Sequence, residues 1–371
     1  MADKFTRHLA FGGQMADNKN MSEYPSLNQH KIPHEFTYTD KLIKLLMRIA
    51  ETKPYLEEYL GKPLEVQLLR QAKIKAITYS NQIEGNKLEI RGVTNALENK
   101  KIDKTDKDII EVKNYSDALD YIEVLAGENT KLKTRDMCDI QKLITKDLLS
   151  DKTQWGNVRT IKVDIVDDTT KKKIDDLPEP HFLNELLEDL WKWVDDNSET
   201  NPFIKAFVFH YLAVAIHPFA DGNGRSMRLM QHLLLLRGGE EIARFVPSET
   251  TIMVTRDRYY SSIRQCKTLN SLNPIIEYLA ECFAISAEQV IQDSKKLVKK
   301  SLDKKPEARK QKILSFAKQK REFKTQDVLK VFPDVPQRTI ERDIQNLVKT
   351  KKLKALGKNK NRSYKWMGFC K

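Results

Sequence analysis

One stretch of the chain, HPFADGNGRSMR from His217 to Arg228, brings a histidine, a carboxylate, two glycines and two arginines together within twelve residues. Gly, Asp and Asn suit any tight turn because they tolerate unusual backbone angles, so composition alone favours an ordinary loop. The flanks argue for more. The preceding segment, FIKAFVFHYLAVAI, is apolar almost all round and predicts a buried helix. Pro218 then biases His217 out of the helical region and turns its imidazole toward whatever the loop surrounds. A second helix is expected from Arg225, which puts the loop at a helix N-terminus, where free backbone N–H groups and the dipole favour phosphate. Arg225 and Arg228 are three residues apart and share a helix face; two guanidinium groups beside such a nest suit a polyphosphate. Asp221 is placed to hold Mg²⁺ beside the phosphates, and Asn223 to orient a phosphate oxygen through its amide. His217 can accept a proton near neutrality and so activate an incoming hydroxyl. Each residue alone is commonplace, but their meeting at one helix junction points to phosphoryl or nucleotidyl transfer.

The rest of the chain narrows the class. At 371 residues, with 40% hydrophobic and 32% charged residues, it is long enough for two or three domains and too apolar to be disordered. Cys138, Cys266, Cys282 and Cys370 show no CxxC spacing, so neither a zinc site nor a disulfide framework is expected, and a reducing cytoplasm is the default. The opening MADKFTRHLAFGGQMADNKN lacks the apolar core of a signal peptide, and no run approaches the roughly 20 apolar residues of a spanning helix. No membrane partner is expected. The net charge of +13 is unevenly distributed: from Lys295 onward there are 25 Lys or Arg against 7 Asp or Glu, and before it 40 against 45. A mildly acidic body is therefore joined to a basic module, whose lysines serve either solubility or an anionic partner.

Helical periodicity dominates the body, as in YTDKLIKLLMRIAETKPYLEEYLG and LEVQLLRQAKIKAITYSNQIEGN, with Gly61 and Pro63, then Gly85 and Asn86, as stops. One segment, VRTIKVDIVDDTTKKKIDDLP, alternates β-branched and polar residues at Ile161, Val163 and Ile165, then turns through Asp167, Asp168 and Thr169, so a hairpin flap is predicted. Such a ribbon either packs on a helix or offers its edge to another chain. After a lysine-rich run broken by Pro306 come three short amphipathic helices and a small hairpin, LKALG and SYKWM. That order resembles a winged helix, with Thr339 to Lys349 as recognition helix and Lys358 to Arg362 as wing tip.

The loop, read through to Arg228, carries the whole HPFx(D/N)GNGRxxR signature and resembles the Fic family. The likeness spans roughly Lys100 to Phe283, with RTIKVDIV, FHYLAVAI and TRDRYYSSI in the family's order. It implies a mainly α fold: a Fic-type helical bundle with a β-hairpin flap, followed here by the winged-helix domain. The expected domains are 1–99, carrying an inhibitory motif, 100–294, the Fic core, and 295–371, the basic winged-helix-like unit. The activity implied is AMP transfer from ATP to a Tyr, Thr or Ser hydroxyl of a target protein, or of the enzyme itself, with pyrophosphate released. Carried over by residue, His217 is the base, Phe219 anchors the loop, and Asp221 holds Mg²⁺. Gly222, Asn223 and Gly224 form the anion nest, and Arg225 and Arg228 clamp the outer phosphates. Thr160, Ile161, Lys162 and Val163 register the target by strand addition. Tyr259 and Tyr260 stand near the adenine end, while Thr255 stands where the family has an Asn a few residues before them. SNQIEGN matches the inhibitory (S/T)xxxE(G/N) motif, with Ser80, Glu84 and Gly85 in place and Glu84 expected to pair with Arg228. A homodimer is among the implied assemblies. Removal of AMP, or transfer of another phosphate-containing group, stays open within this class.

A different reading makes the body a nucleotide sensor and the tail a DNA-binding module of a transcription regulator, with Arg338 and Arg342 of QRTIERDIQ facing a groove. Glu341 and Asp343 on the same helix argue against it, because they would stand close to phosphates. The same module could equally dock a protein.

Overall fold

In a computed structural model, residues 23–62, 64–98, 106–166, 173–175, 177–304, 306–320, 322–357 and 362–367 are described. The first part of the chain forms α1 (Pro25–Gln29), α2 (Asp40–Glu57), α3 (Glu65–Ile83), α4 (Ile90–Leu97), α5 (Lys107–Ala126) and α6 (Thr134–Ile144). The hairpin β1 (Ile165–Val166) and β2 (Lys173–Asp175) follows, then α7 (Leu183–Asp196), α8 (Pro202–Ile216), α9 (Asn223–Arg237), α10 (Glu249–Val254), α11 (Arg256–Leu269) and α12 (Asn273–Lys304). The fold is mainly helical. The periodic segments are all helices, whereas α1, α4 and α10 have too few turns to register as a sequence period.

α8 holds the centre. Asn201 caps it by accepting the Phe203 N–H through its side chain, Pro202 opens it, and its residues from Phe203 to Ile216 are buried almost without interruption. Because α8 has no polar face, neighbours must cover it on several sides: α7 packs on one and α9 runs back along another. α9 in turn lies against α5 and α6, and α3 lies against α5 and α10. Within the segment assigned to 1–99, α3 also touches α9, one of the two helices that carry the loop. No described helix is long and apolar enough to cross a membrane.

The flap is shorter than its alternation suggests. Only Ile165 and Val166 pair with β2, antiparallel, while residues 160–164 carry no ladder. Thr160, Ile161 and Lys162 are exposed and Val163 is partly buried, so this stretch runs along the surface without a strand partner among the described residues. The turn read at 167–169, the stretch 1–20 read for a leader, and 358–361 of the wing tip lie outside the described residues.

The described chain divides into two compact units between Val290 and Ile291. In the second, α13 (Pro306–Lys320), β3 (Glu322–Phe323), α14 (Thr325–Val331), α15 (Gln337–Lys349), β4 (Leu353–Leu356) and β5 (Ser363–Trp366) enclose one core. Ile313, Phe323, Val328, Phe332, Ile340, Ile344, Leu347 and Leu353 fill it. The sheet is antiparallel in the order β3-β5-β4. β3, two residues long, is too brief to be read from sequence and adds a third strand to the predicted hairpin. Asp343 does not face outward: it is buried and accepts from Arg309 Nε at 2.6 Å.

Candidate active site

The loop between α8 and α9 is set by two residues in left-handed backbone. His217 ends α8 with φ 54° and ψ 59°, and Gly222 caps α9 with φ 80°. Before Pro218, His217 leaves the right-handed helical region as expected, and it does so by turning left-handed, a conformation costly enough that its surroundings must hold it. Arg159 does so. Its backbone N–H donates to the Pro218 carbonyl at 2.8 Å, and its Nε donates to the His217 carbonyl at 2.8 Å. Its remaining nitrogens reach the carbonyls of Ile161 at 3.0 Å and Pro178 at 2.7 Å, so one buried guanidinium joins the loop to both roots of the flap. At Gly222 any side chain would be strained, and its Cβ would sit 3.0 Å from Thr145 Cγ2.

Phe219 is fully buried beneath the loop. Asn223 closes the loop on itself. Its Oδ1 accepts the Phe219 N–H at 3.0 Å and its Nδ2 donates to the Phe219 carbonyl at 2.8 Å. That leaves the second Nδ2 hydrogen and the backbone N–H as its remaining donors. The first N–H groups of α9, from Asn223 to Arg225, have no acceptor within the helix, an arrangement suited to an anion. Gln141 braces the loop from α6, donating to the Asp221 carbonyl at 3.1 Å and accepting the Gly156 N–H at 2.6 Å.

Both loop arginines are inside. Arg225, with 4% of its side chain exposed, lies 3.2 Å from Glu111 Oε1 and 3.8 Å from Asp221 Oδ1. Arg228, 2% exposed, donates through Nη2 to Glu84 Oε1 at 2.8 Å and through Nε to Ser80 Oγ at 2.8 Å. Its Nη2 also reaches the Ser80 carbonyl at 2.9 Å. Glu84 is the C-cap of α3 and Gly85 follows with φ 96°, which lets the chain turn away and leaves the carboxylate over the start of α9. A Cβ on Gly224 would collide with that carboxylate. Burial opposes charge on Glu84, yet Arg228, with Arg225 and Arg256, holds its carboxyl below the ordinary range.

Asp221 is the outer residue, half exposed; its Oδ1 accepts the Gly222 N–H at 2.5 Å. One accessible carboxylate is what Mg²⁺ uses when phosphates and water complete its shell, so the residue fits that ion as a companion of a nucleotide. Burial and the nearby Arg159 press the His217 pKa down to about 4. Tyr259 is buried and its hydroxyl meets His210 Nε2 at 2.8 Å, whereas Tyr260 stacks near Arg256 and stays partly exposed. The Thr255 hydroxyl meets that of Tyr278 at 2.8 Å. Arg159, Gln141, Glu111 and His210 were not singled out in sequence; each acts across a long separation that local periodicity does not signal.

A family model described as the Fic/DOC family matches residues 131–235. Among curated proteins, the protein adenylyltransferase fic-1 of Caenorhabditis elegans is 26% identical over 231 residues, 61% of this chain and 42% of that one. The protein adenylyltransferase Fic of Nematostella vectensis is 28% identical over 222 residues, 58% of this chain and 48% of that one. The chain thus spans under half the length of these relatives. A crystal structure of a Fic family protein from Desulfovibrio desulfuricans shares the fold with a TM-score of 0.63 at 21% identity, covering 91% of this chain and 99% of that one. The loop that holds His217 and both buried arginines lies within the residues that are similar to the Fic/DOC family.

Proposed function

We propose that the protein transfers AMP from ATP to a hydroxyl of a target protein, and that Glu84 holds this activity in check. The observation that carries the reading is the pair of buried arginines, Arg225 and Arg228, at the N-terminus of α9 with His217 at the other end of the same short loop. The names of the curated relatives support it. In this mechanism the hydroxyl oxygen attacks the α-phosphorus as its proton passes to neutral His217. The bond from the α-phosphorus to the bridging oxygen breaks, and pyrophosphate leaves. The α9 N–H groups of Asn223, Gly224 and Arg225 and the two guanidiniums stabilise the charge that builds on the phosphates. Asp221 would hold Mg²⁺, which when bound neutralises phosphate charge. The surface stretch at 160–163 would align an extended target segment by backbone pairing, with the exposed Ile161 as its apolar contact. Tyr260 would face the adenine. ATP, Mg²⁺ and reduced thiols are together what a cytoplasmic setting supplies, and that setting is part of the proposal. Tandem mass spectrometry of peptides modified by the Glu84→Gly chain tests the reading: it predicts AMP esters on Tyr, Thr or Ser, and phosphate or no adduct would contradict it.

The acid limb of the rate follows from His217. The base works when neutral, and a pKa near 4 keeps it neutral from about pH 5 upward. An unperturbed histidine would lose about tenfold in neutral fraction between about pH 7.5 and 5.5. The expected kcat/KM profile is nearly flat across that range, and a tenfold fall would show the free-enzyme base to be unshifted.

One observation favours a second role for the C-terminal unit. α15 exposes Arg338, Arg342, Gln345 and Lys349 at helical spacing, a basic stripe, while Asp343 turns inward to Arg309 and Glu341 is engaged by Gln337. Of the two acidic residues that argued against DNA, Asp343 is thus withdrawn from that face, while Glu341 stays partly exposed beside it. With the full chain, this role predicts a gel shift of duplex DNA at low salt that weakens steeply as salt rises and is lost in Arg338→Ala/Arg342→Ala. Absence of a shift at low salt removes it.

A further inference from the structure

We infer that Asn86 and Glu111 form a latch between the inhibitory segment and the nucleotide site, with Glu111 as the positioning residue shared by both. This rests on the reading of Glu84 given above. Glu111, buried on α5, divides its two oxygens: Oε1 lies 3.2 Å from Arg225 Nη1, and Oε2 accepts from Asn86 Nδ2 at 2.9 Å. Its other cationic neighbour, the exposed Lys107, stands 3.9 Å from Oε1. Asn86 is also buried, two residues beyond Glu84. Its Nδ2 donates to the Asp108 carbonyl at 2.9 Å, its Oδ1 accepts the Leu88 N–H at 3.0 Å, and its own N–H returns to the Asn81 carbonyl at 3.1 Å. Every polar group of Asn86 but its carbonyl is therefore committed to fixing the chain just past Gly85. That knot determines where the Glu84 carboxylate points.

The other end of the latch is under tension of a different kind. Arg225 Nε and Nη1 are buried and make no hydrogen bond within the described residues; the nearby carboxylates balance the charge without satisfying the donors. A buried guanidinium with unspent donors favours an acceptor it does not yet have, and phosphate oxygens supply it. When Arg225 turns to a nucleotide, Oε1 of Glu111 loses its partner. The knot then weakens, since the carboxylate that anchors Asn86 is released to move or to take up water. By linkage, loosening the knot must in turn favour nucleotide binding.

The test uses the full chain with Asn86→Ala, which removes the donor, and Asn86→Asp, which keeps the size and sets one carboxylate against another. Both are expected to raise AMP transfer about tenfold, the size of one hydrogen bond to a charged acceptor. In a Glu84→Gly background the gain should shrink to what the Glu111–Arg225 link alone gives, because no inhibitory carboxylate is left to position. Amide hydrogen exchange over residues 84–88 should quicken when ATP is added to the unaltered chain, and should be fast with or without ATP in Asn86→Ala. A merely structural role for Asn86 would move transfer equally in both backgrounds, and that result overturns the latch, as does exchange that ATP leaves unchanged. Exchange does not require turnover. If Glu84→Gly itself transfers no AMP, the proposed function fails while the exchange result still decides the latch.

Discussion

Replacing Glu84 by glycine is expected to raise AMP transfer by about 10- to 100-fold. The expectation comes from what Arg228 is doing. Its Nη2 is shared between the Glu84 carboxylate at 2.8 Å and the Ser80 carbonyl at 2.9 Å, and its Nε is taken by Ser80 Oγ. Of the terminal nitrogens only Nη1 is left without a hydrogen-bond partner among the described residues, so the Glu84 carboxylate competes for Nη2 and adds repulsion where the phosphates must lie. A hydrogen bond to a charged group contributes ~1.5–3 kcal/mol, which sets the range of the gain once it no longer competes. The change has a cost to the empty protein, since Arg228 is 2% exposed and loses its counter-charge. That cost stays below the ~3–5 kcal/mol of a broken buried pair, because Glu84 is 31% exposed and solvent already screens the interaction. The melting temperature should fall without nucleotide and recover with ATP and Mg²⁺, which a thermal-shift series reads directly. Unchanged transfer in Glu84→Gly, with ATP binding intact, would remove Glu84 as the inhibitor.

In that activated background, His217→Ala is expected to lower transfer by about 10²- to 10⁴-fold, the usual contribution of a general base. ATP affinity should change little, because the phosphate contacts belong to the α9 N–H groups and the two arginines. Left-handed backbone at residue 217 is tolerable for histidine and no better for alanine, so the loop should keep its shape through Arg159. A loss of kcat with KM nearly constant is the signature of a residue acting only in the transition state. If KM rises and kcat holds, His217 is a binding residue and the proton goes elsewhere.

Much of the site could be read from the chain because the chemistry is local. The loop needs Gly222 for its left-handed turn and Gly224 for the close approach of Glu84, and it buries two arginines three residues apart; all four lie in one short motif. The buried α8 was equally legible, since a helix without a polar face has one place to go. What was not legible depends on partners far along the chain. Glu111 is an ordinary acidic residue of a helical pattern until α5 packs on α9, and Arg159 looks like the start of a strand until it bonds the loop from beneath. The amide chemistry of Asn223 follows from its type, but that the loop bonds both ends of that amide to Phe219 does not. The alternation at Ile161 and Val163 does not become a strand: Thr160, Ile161 and Lys162 are all exposed and only Ile165 and Val166 pair with β2 among the described residues, because a sequence pattern does not tell whether a neighbouring strand is present.

The central claim is that this loop moves the AMP portion of ATP. It is tested most directly by giving the Glu84→Gly chain ATP labelled at either the α- or the γ-phosphate, with Mg²⁺, and counting label on protein. The account predicts label from the α-phosphate alone, and none once His217→Ala is added. Label from the γ-phosphate, or α-label that survives His217→Ala, would contradict it.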